Sequence, residues 1–572
     1  MLNVTINDKK YEFDNGLTIL EACQKAGIDV PTLCHLKGLQ PSGSCRICVV
    51  EVEKTRGLIP SCSYPLSDGM VIRTNTERIR EARKMIVELL IANHPQDCLT
   101  CNKNLTCELQ KLSMQLNIEP KPQYKLKRHY HTDATSPSLV RDPNKCIICG
   151  RCVRVCEEIQ GIGAIDFTKR GFETMILPAF NEDLANTTCV NCGQCIKVCP
   201  TGALSENYSI KEVVDVLSDP EKVVVAQVAP AIRVALGELF GLDAENVAGK
   251  LVDGLRQIGF DYVFDTNFAA DLTIMEEGSE LVARVKNNGV LPMITSCSPG
   301  WIKFIEHFFP QFLPNLSTCK SPQQMQGAMI KSFWAKKIGV DPKKVHVVSI
   351  MPCTAKKFEA QRPEMEVDGL RDVDTVLTTR ECARLFTSFD LDLKLCKDRP
   401  FDNPLGDSTG AGAIFAATGG VCEAALRTAY HLITGNELEN VDIESVRGFE
   451  GIKEAVIPVG DLKVKIAIAS GLKNARILLE KVAAKEADYH FIEIMACPGG
   501  CLNGGGQPVL SDPEALKKRL AKIYGIDKKS TFRRSHENPS IQSIYKEFLK
   551  APNSEVSHKY LHTHYNVRKE NA

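Results

Sequence analysis

The chain has 572 residues, enough for three or four domains of ordinary size. Its 70 Lys+Arg balance 70 Asp+Glu, so no net field draws it to nucleic acid or an anionic membrane. At 44% hydrophobic it is too apolar for disorder, yet no apolar run approaches the ~18 residues of a membrane-spanning helix.

The opening segments LNVTIN and KKYEF alternate like a β-hairpin, and residues 18–26 read as a short helix. Residues 76–93, rich in Arg, Glu, Ala and Leu, form a strong helical stretch, and the polar residues 120–137 read as a linker. Strands and helices alternate from residue 223: VVVAQV, a helix over 232–240, YVFDT, a helix over 272–287, LPMITS and VHVVSIM. That rhythm predicts an α/β body with largely parallel sheets, which place chemistry at the C-terminal ends of strands. The N-terminus turns polar at once and shows no secretory design, so the expected compartment is the reducing cytoplasm. Disulfides are rare there, and the 24 cysteines become metal ligands, catalytic thiols or small buried hydrophobes.

Sixteen of those cysteines precede residue 200. Cys34, Cys45, Cys48 and Cys62 follow C-x10-C-x2-C-x13-C around the Gly/Ser-rich loop PSGSCRIC. With the flanking hairpin and helix this suits a β-grasp [2Fe–2S] domain, zinc being the alternative. Cys23, on the predicted helix, is expected in the core. His94, Cys98, Cys101 and Cys107 follow H-x3-C-x2-C-x5-C. Imidazole for one thiolate removes a negative charge and raises the potential of a cluster, with Cys3His zinc as the alternative. The strongest signal is a double run of C-x2-C-x2-C-x3-C. In this two-cluster pattern the fourth cysteine of each run serves the other cluster. One [4Fe–4S] cluster is therefore expected on Cys146, Cys149, Cys152 and Cys199, the other on Cys156, Cys189, Cys192 and Cys195. Expected boundaries are 1–78 for the β-grasp domain, 79–125 for the His/Cys3 module, 137–209 for the two-cluster domain and 210–572 for the body. Clusters in a row carry electrons singly, so the body should hold a redox site or docking surface.

The body carries three cysteine signatures: TSCSPGW (295–301), MPCTAKKFE (351–359) and EIMACPGGCLNGGGQP (493–508). Together with QVAP (227–230), KSPQQ (320–324) and TGAGAIFAATGGVCEAALR (409–427), they resemble [FeFe]-hydrogenase, in its long clostridial-type form with four accessory clusters. The resemblance covers essentially the whole chain. It implies α+β ferredoxin modules before a large α/β body, and 2H⁺ + 2e⁻ ⇌ H₂ at an H-cluster. That group is a [4Fe–4S] cube joined by one cysteine sulfur to a two-iron unit with CO, cyanide and a bridging dithiolate amine. Carried over by position, Cys353 and Cys497 ligate the cube and Cys501 bridges it to the two-iron unit. Lys356 faces a cyanide, Met351 and Met495 wall the pocket, and Pro230 and Gln323 lie against the cofactor. The family's proton relay falls on Cys297, Glu277, Ser317, Glu280 and Arg284; unaided, Glu277, Glu280 and Arg284, which share a helix face, read as a solvated charged face.

One departure stands out. The family has two adjacent cysteines in the first signature, and here the pair is Cys297-Ser298. Either Ser298 ligates through oxygen, or Cys297 swings in to ligate, or the cube is altered; the expectation leans to Cys297. Serine oxygen is the harder, poorer ligand. The resemblance further implies electron exchange with ferredoxin or with a flavoprotein subunit handling NAD(P)H, and maturation proteins that install the two-iron unit. An electron-transfer subunit like that of respiratory complex I and a hydrogen sensor are the other readings. Cys319, Cys382, Cys396 and Cys422 lack ligand spacing and are expected to be buried small residues. The glycine-rich 409–420 stretch is expected to serve core packing. His558, His562 and His564 are expected on a surface or wrapping segment.

Overall fold

The computed structural model describes residues 1–119, 129–243, 245–460, 462–509 and 513–568. Residues 120–128, the first half of the expected linker and the end of the expected second module, lie outside the described residues.

The N-terminal unit is a five-stranded sheet in the order Lys9–Phe13, Leu2–Ile6, Val71–Arg73, Val49–Val52, Ile59–Pro60. The helix Ile19–Lys25 packs on it through Ile19, Leu20, Ala22 and Cys23, all buried. Thr18 sets its start: the Thr18 hydroxyl accepts from the Glu21 amide while the Glu21 carboxylate accepts from the Thr18 amide. Thr76 likewise caps Glu77–Ala92. Arg83 on that helix is buried and donates to the Ile47 and Val49 carbonyls, tying the next module to the sheet.

In the two-cluster region, short helices Arg151–Arg154 and Gln194–Val198 follow the two cysteine loops. Each is preceded by a glycine in the left-handed region, Gly150 at φ +69° and Gly193 at φ +70°. A Cβ at Gly193 would overlap Thr354, so this turn lets the domain seat directly on the body.

The body holds two four-stranded sheets. The first is wholly parallel, in the order Tyr262–Asp265, Val223–Val228, Val345–Met351, Thr375–Thr378. In the second, Met293–Ile294, Phe491–Met495 and Leu462–Ser470 run parallel, and Ile452–Val459 closes the edge antiparallel. LPMITS thus supplies only a two-residue strand. The helix expected over 272–287 runs over Thr266–Lys286, starting where the Asp265 carboxylate caps the Asn267 amide. This central helix packs on Pro322–Met329, Gly410–Ile414 and Gly420–Thr434. Side chains on Gly412 and Gly420 would meet backbone oxygens of Asn267 and Ile414, which bears out the packing role of the glycine-rich stretch. Cys319, Cys382, Cys396 and Cys422 are buried as expected. His562 is the exception in the C-terminal segment: His558 and His564 are exposed, but His562 is buried against the central helix.

Candidate active site

Each cysteine signature of the body begins where a parallel strand ends. Thr295–Cys297 follows Met293–Ile294, Pro352–Cys353 follows Val345–Met351, and Ala496–Cys497 follows Phe491–Met495. Ala229–Pro230 follows Val223–Val228 in the same way. The ends of strands from both sheets converge on one cavity with about 830 Å³ of atom-free space. Cys297, Ser298, Cys353, Cys497 and Cys501 line it with Pro230, Gln323, Met351, Met495 and Lys356, the whole set expected there. Burial pushes the Cys501 thiol up to about 12 and holds Cys353 and Cys497 high as well; Cys497 raises both Cys353 and Cys501 further. Converging thiols in so apolar a cavity call for a cation-rich partner. The glycines make the room: side chains at Gly504 and Gly505 would overlap the carbonyl oxygens of Pro352 and Cys192.

Lys356 is buried and donates to the Cys297 carbonyl at 3.1 Å and to Glu359 at 2.9 Å. Glu359 also accepts from Ser321 at 2.8 Å and Gln323 at 3.0 Å. Gln323 in turn donates to the Lys356 carbonyl and accepts from Ser349. This network fixes the ammonium, and sequence reasoning missed Glu359; its i,i+3 spacing from Lys356 was the available signal.

Cys297 and Ser298 point to different neighbours. Burial raises the Cys297 thiol well above its ordinary value; of its charged neighbours Glu277 acts most strongly, then Lys356, Glu493 and Cys501. Ser298 N-caps the helix Pro299–Phe308 through its backbone carbonyl alone, and its hydroxyl instead accepts from the Ala496 amide at 3.3 Å, next to Cys497. Both line the cavity, Cys297 on the Glu277 side and Ser298 beside Cys497.

Behind Cys297 lies a row of polar groups. Glu277 is buried, neither carboxylate oxygen has a hydrogen-bond partner, and burial reinforced by Glu280 lifts its pKa to about 8. Ser317 donates to Glu280 at 2.8 Å, and Arg284 donates to Glu280 at 2.6 Å and to the Leu316 carbonyl at 2.7 Å. The expected set Glu277, Ser317, Glu280 and Arg284 is therefore brought together, mostly buried rather than on a solvated face. Glu493, which the sequence reading passed over, is also buried; its pKa rises to about 7 although it accepts from the Gly419 and Cys422 amides.

The front-end cysteines gather in the expected sets. The Cys34 thiol lies against Cys45 and Cys62, and Cys48 against Cys62. Cys98, Cys101 and Cys107 are mutual neighbours. His94 is half-buried with Nδ1 on the Pro95 carbonyl at 2.7 Å and Nε2 unpartnered, the tautomer that leaves a lone pair free for a metal. Cys146, Cys149, Cys152 and Cys199 line one cavity. Cys156, Cys189, Cys192 and Cys195 line another. Cys192 also lines the body cavity and is within electrostatic reach of Cys497. Lys197 and Gln194 donate to the Asn503 carbonyl, two residues beyond Cys501; burial lowers the Lys197 pKa to about 7.

Comparison with known proteins matches residues 222–505 to the iron only hydrogenase large subunit, C-terminal domain, and 513–568 to the iron hydrogenase small subunit. The chain is 50% identical to NADP-reducing hydrogenase subunit HndD of Solidesulfovibrio fructosivorans, over 99% of both chains. It belongs to the [FeFe]-hydrogenase family. Iron hydrogenase 1 of Clostridium pasteurianum is 41% identical over 99% of this chain and 100% of its own. Among solved structures, a variant of apo [FeFe]-hydrogenase HydA1 from Chlamydomonas reinhardtii matches at TM-score 0.57 and 44% identity, covering 63% of this chain and 98% of its own. The front end matches a 2Fe-2S iron-sulfur cluster binding domain (1–77), an NADH-ubiquinone oxidoreductase-G iron-sulfur binding region (83–122) and a 4Fe-4S dicluster domain (145–203). The chain is thus an iron-only hydrogenase with accessory iron–sulfur domains. Among the described residues no helix is long and apolar enough to cross a membrane.

Proposed function

We propose that this hydrogenase holds an H-cluster in the body cavity, with Cys353, Cys497 and Cys501 as thiolate ligands and Ser298 in the fourth cube position. The observation that carries this is the convergence of strand-end loops from two sheets on one apolar, thiol-lined cavity. The donor set fits the group: soft sulfurs, a buried ammonium for anionic ligands, glycines where bulk must approach, and methionine walls. When bound, the H-cluster supplies the two-electron chemistry and the open metal position at which hydrogen is made or split.

The chain's own residues manage the protons. Cys297 faces Glu277, so its thiol exchanges a proton with the reacting centre on one side and this carboxyl on the other. Glu277, held protonated near neutral pH, gives and takes a proton at little cost. Ser317 bridges toward Glu280, and Arg284 orients that carboxylate at the surface end. Met351, Met495, Pro230 and Gln323 shape the pocket and exclude water, and Lys356 anchors its anionic side.

Electrons travel along four accessory clusters: one [2Fe–2S] on Cys34, Cys45, Cys48 and Cys62, and three [4Fe–4S]. The latter rest on His94, Cys98, Cys101 and Cys107; on Cys146, Cys149, Cys152 and Cys199; and on Cys156, Cys189, Cys192 and Cys195. Ferredoxin potentials near roughly −400 mV lie close to the proton/hydrogen couple at neutral pH, so the reaction is reversible and the partner sets its direction. The named role of the 50%-identical relative favours a subunit of a larger complex over service to ferredoxin alone. This sequence carries no dinucleotide fingerprint, so a flavoprotein subunit would handle NAD(P)H. The protein works in the cytoplasm and depends on maturation proteins for its two-iron unit.

Infrared spectroscopy of anaerobically matured protein tests the cofactor. CO and cyanide bands are expected, and their absence after competent maturation overturns the assignment. Co-purification of a flavoprotein separates the complex from the ferredoxin-linked form.

A further inference from the structure

Arg284 is a poor last carrier for the proton row. Guanidinium does not release its proton in proteins, so Arg284 can orient Glu280 but cannot relay for it. A second arrangement meets Glu280 from the other side. The loop after Ser317 gives Glu280 the Thr318 amide at 3.2 Å, while the Thr318 hydroxyl bonds His562 Nδ1 at 2.8 Å. A Glu280 carboxylate oxygen, the Cys319 thiol and a His562 ring nitrogen all lie within 4.8 Å of one another. The other ring nitrogen of His562 sits 3.1 Å from Glu276. Glu276 is fully buried and also accepts from the Tyr545 hydroxyl at 2.6 Å and the Asn553 amide at 2.7 Å. The His558 ring lies 4.1 Å from that of His562 between centroids, tilted by 37°, and reaches solvent.

We propose that His562 is a second outlet of the proton path at Glu280, handing protons to solvent through His558. The inference rests on the reading of Glu280 as part of that path. The Glu276 carboxylate accepts from Nε2–H and so leaves the Nδ1 lone pair to the Thr318 hydroxyl, whose own backbone amide is bonded to Glu280. A proton leaving Glu280 binds at Nδ1, and the imidazolium is neutralised by the carboxylate already bonded to its far side. Imidazole exchanges protons in the neutral range, which a guanidinium does not. Release then passes to His558, and the reverse sequence takes a proton up. The titratable groups facing His562 are Glu276 and Glu280 from the central helix, Cys319 from the preceding loop, Tyr545, and His558 and His564 from its own segment. Burial, then the nearby His562, keeps the His558 pKa below its ordinary value, so this ring rests neutral and releases to solvent any proton it takes.

The plain alternative is a clamp, in which Glu276, Tyr545 and His562 only hold the C-terminal segment on the body. The test compares matured full-length protein with the variants His562→Gln, His558→Gln and Arg284→Gln and with the doubles, using reduced methyl viologen as electron donor. If two outlets share the flow, each single variant keeps a third or more of the hydrogen production, each double that joins Arg284→Gln to a histidine change loses more than about tenfold, well beyond the product of its singles, and the double of the two histidines matches its worse single. Added imidazole should restore the His558→Gln loss. A second readout needs no turnover: the carboxylic-acid C=O band is followed on mixing with D₂O, and its exchange should slow most in the doubles that carry Arg284→Gln. Doubles that match Arg284→Gln in production and exchange overturn the outlet and leave the clamp. Should His562→Gln fail to fold, exposed His558 carries the same comparison. Missing CO and cyanide bands in the unaltered protein would fault the hydrogen-activating site, while deuterium exchange would still judge the outlet.

Discussion

Replacing Glu277 by glutamine separates what this carboxyl does for the reaction from what it costs the fold. In the folded protein Glu277 stays protonated up to about pH 8, against an ordinary value of 4.5. Between those values the unfolded chain has released the proton and the folded one has not. Folding therefore weakens as pH rises through this window, by about 1.4 kcal/mol per pH unit. The accumulated cost at neutral pH is on the order of 3 kcal/mol, and below the ordinary value it vanishes because both states are protonated. Glutamine carries no titrating proton and keeps a carbonyl oxygen for the Ser317 hydroxyl and Ser296 amide that lie near this carboxyl. Glu277→Gln should thus match the parent's unfolding midpoint in acid and exceed it increasingly toward pH 8, read on the transition of the body. Hydrogen production should fall by about 10²-fold or more, the usual scale for losing a proton-transfer group. A stability gap that does not widen with pH, or a variant that turns over like the parent, refutes this account of Glu277.

Lys356→Met strips Glu359 of its cation and leaves a buried carboxylate held by neutral donors, a change worth about 3–5 kcal/mol of destabilisation. Adding Glu359→Gln should recover most of the unfolding midpoint but not the CO and cyanide infrared bands, because the pocket still lacks its ammonium. For the front end, His94→Ala should remove one accessory cluster's paramagnetic signal on reduction while sparing the rest. His94→Cys should return it at a lower potential, since a thiolate adds negative charge; an unchanged potential in a redox titration would count against His94 as the ligand.

Local chemistry was open to reading from the residues alone. Cysteine spacing announces cluster sites because ligands two and three residues apart on one loop can share a metal whatever surrounds them, and the two sets of the double run each line one cavity. Caps at Thr18 and Thr76 and the strands 223–228 and 345–351 follow from short-range patterns in the same way. What joins residues 297, 353 and 497 is different in kind. They meet because strand ends from two sheets point into one cavity, and no periodicity along the chain encodes that approach. The doublet Cys297-Ser298 could not be apportioned in sequence, for adjacent residues differ there only in direction; packing turns the thiol toward Glu277 and the hydroxyl toward Ala496. The same holds for His562, which looks like a surface residue in HKYLHTHY until the C-terminal segment folds back and buries it against Glu276. Burial and the partners it imposes arise from contacts between remote segments, so the charge a group carries is decided by the tertiary fold.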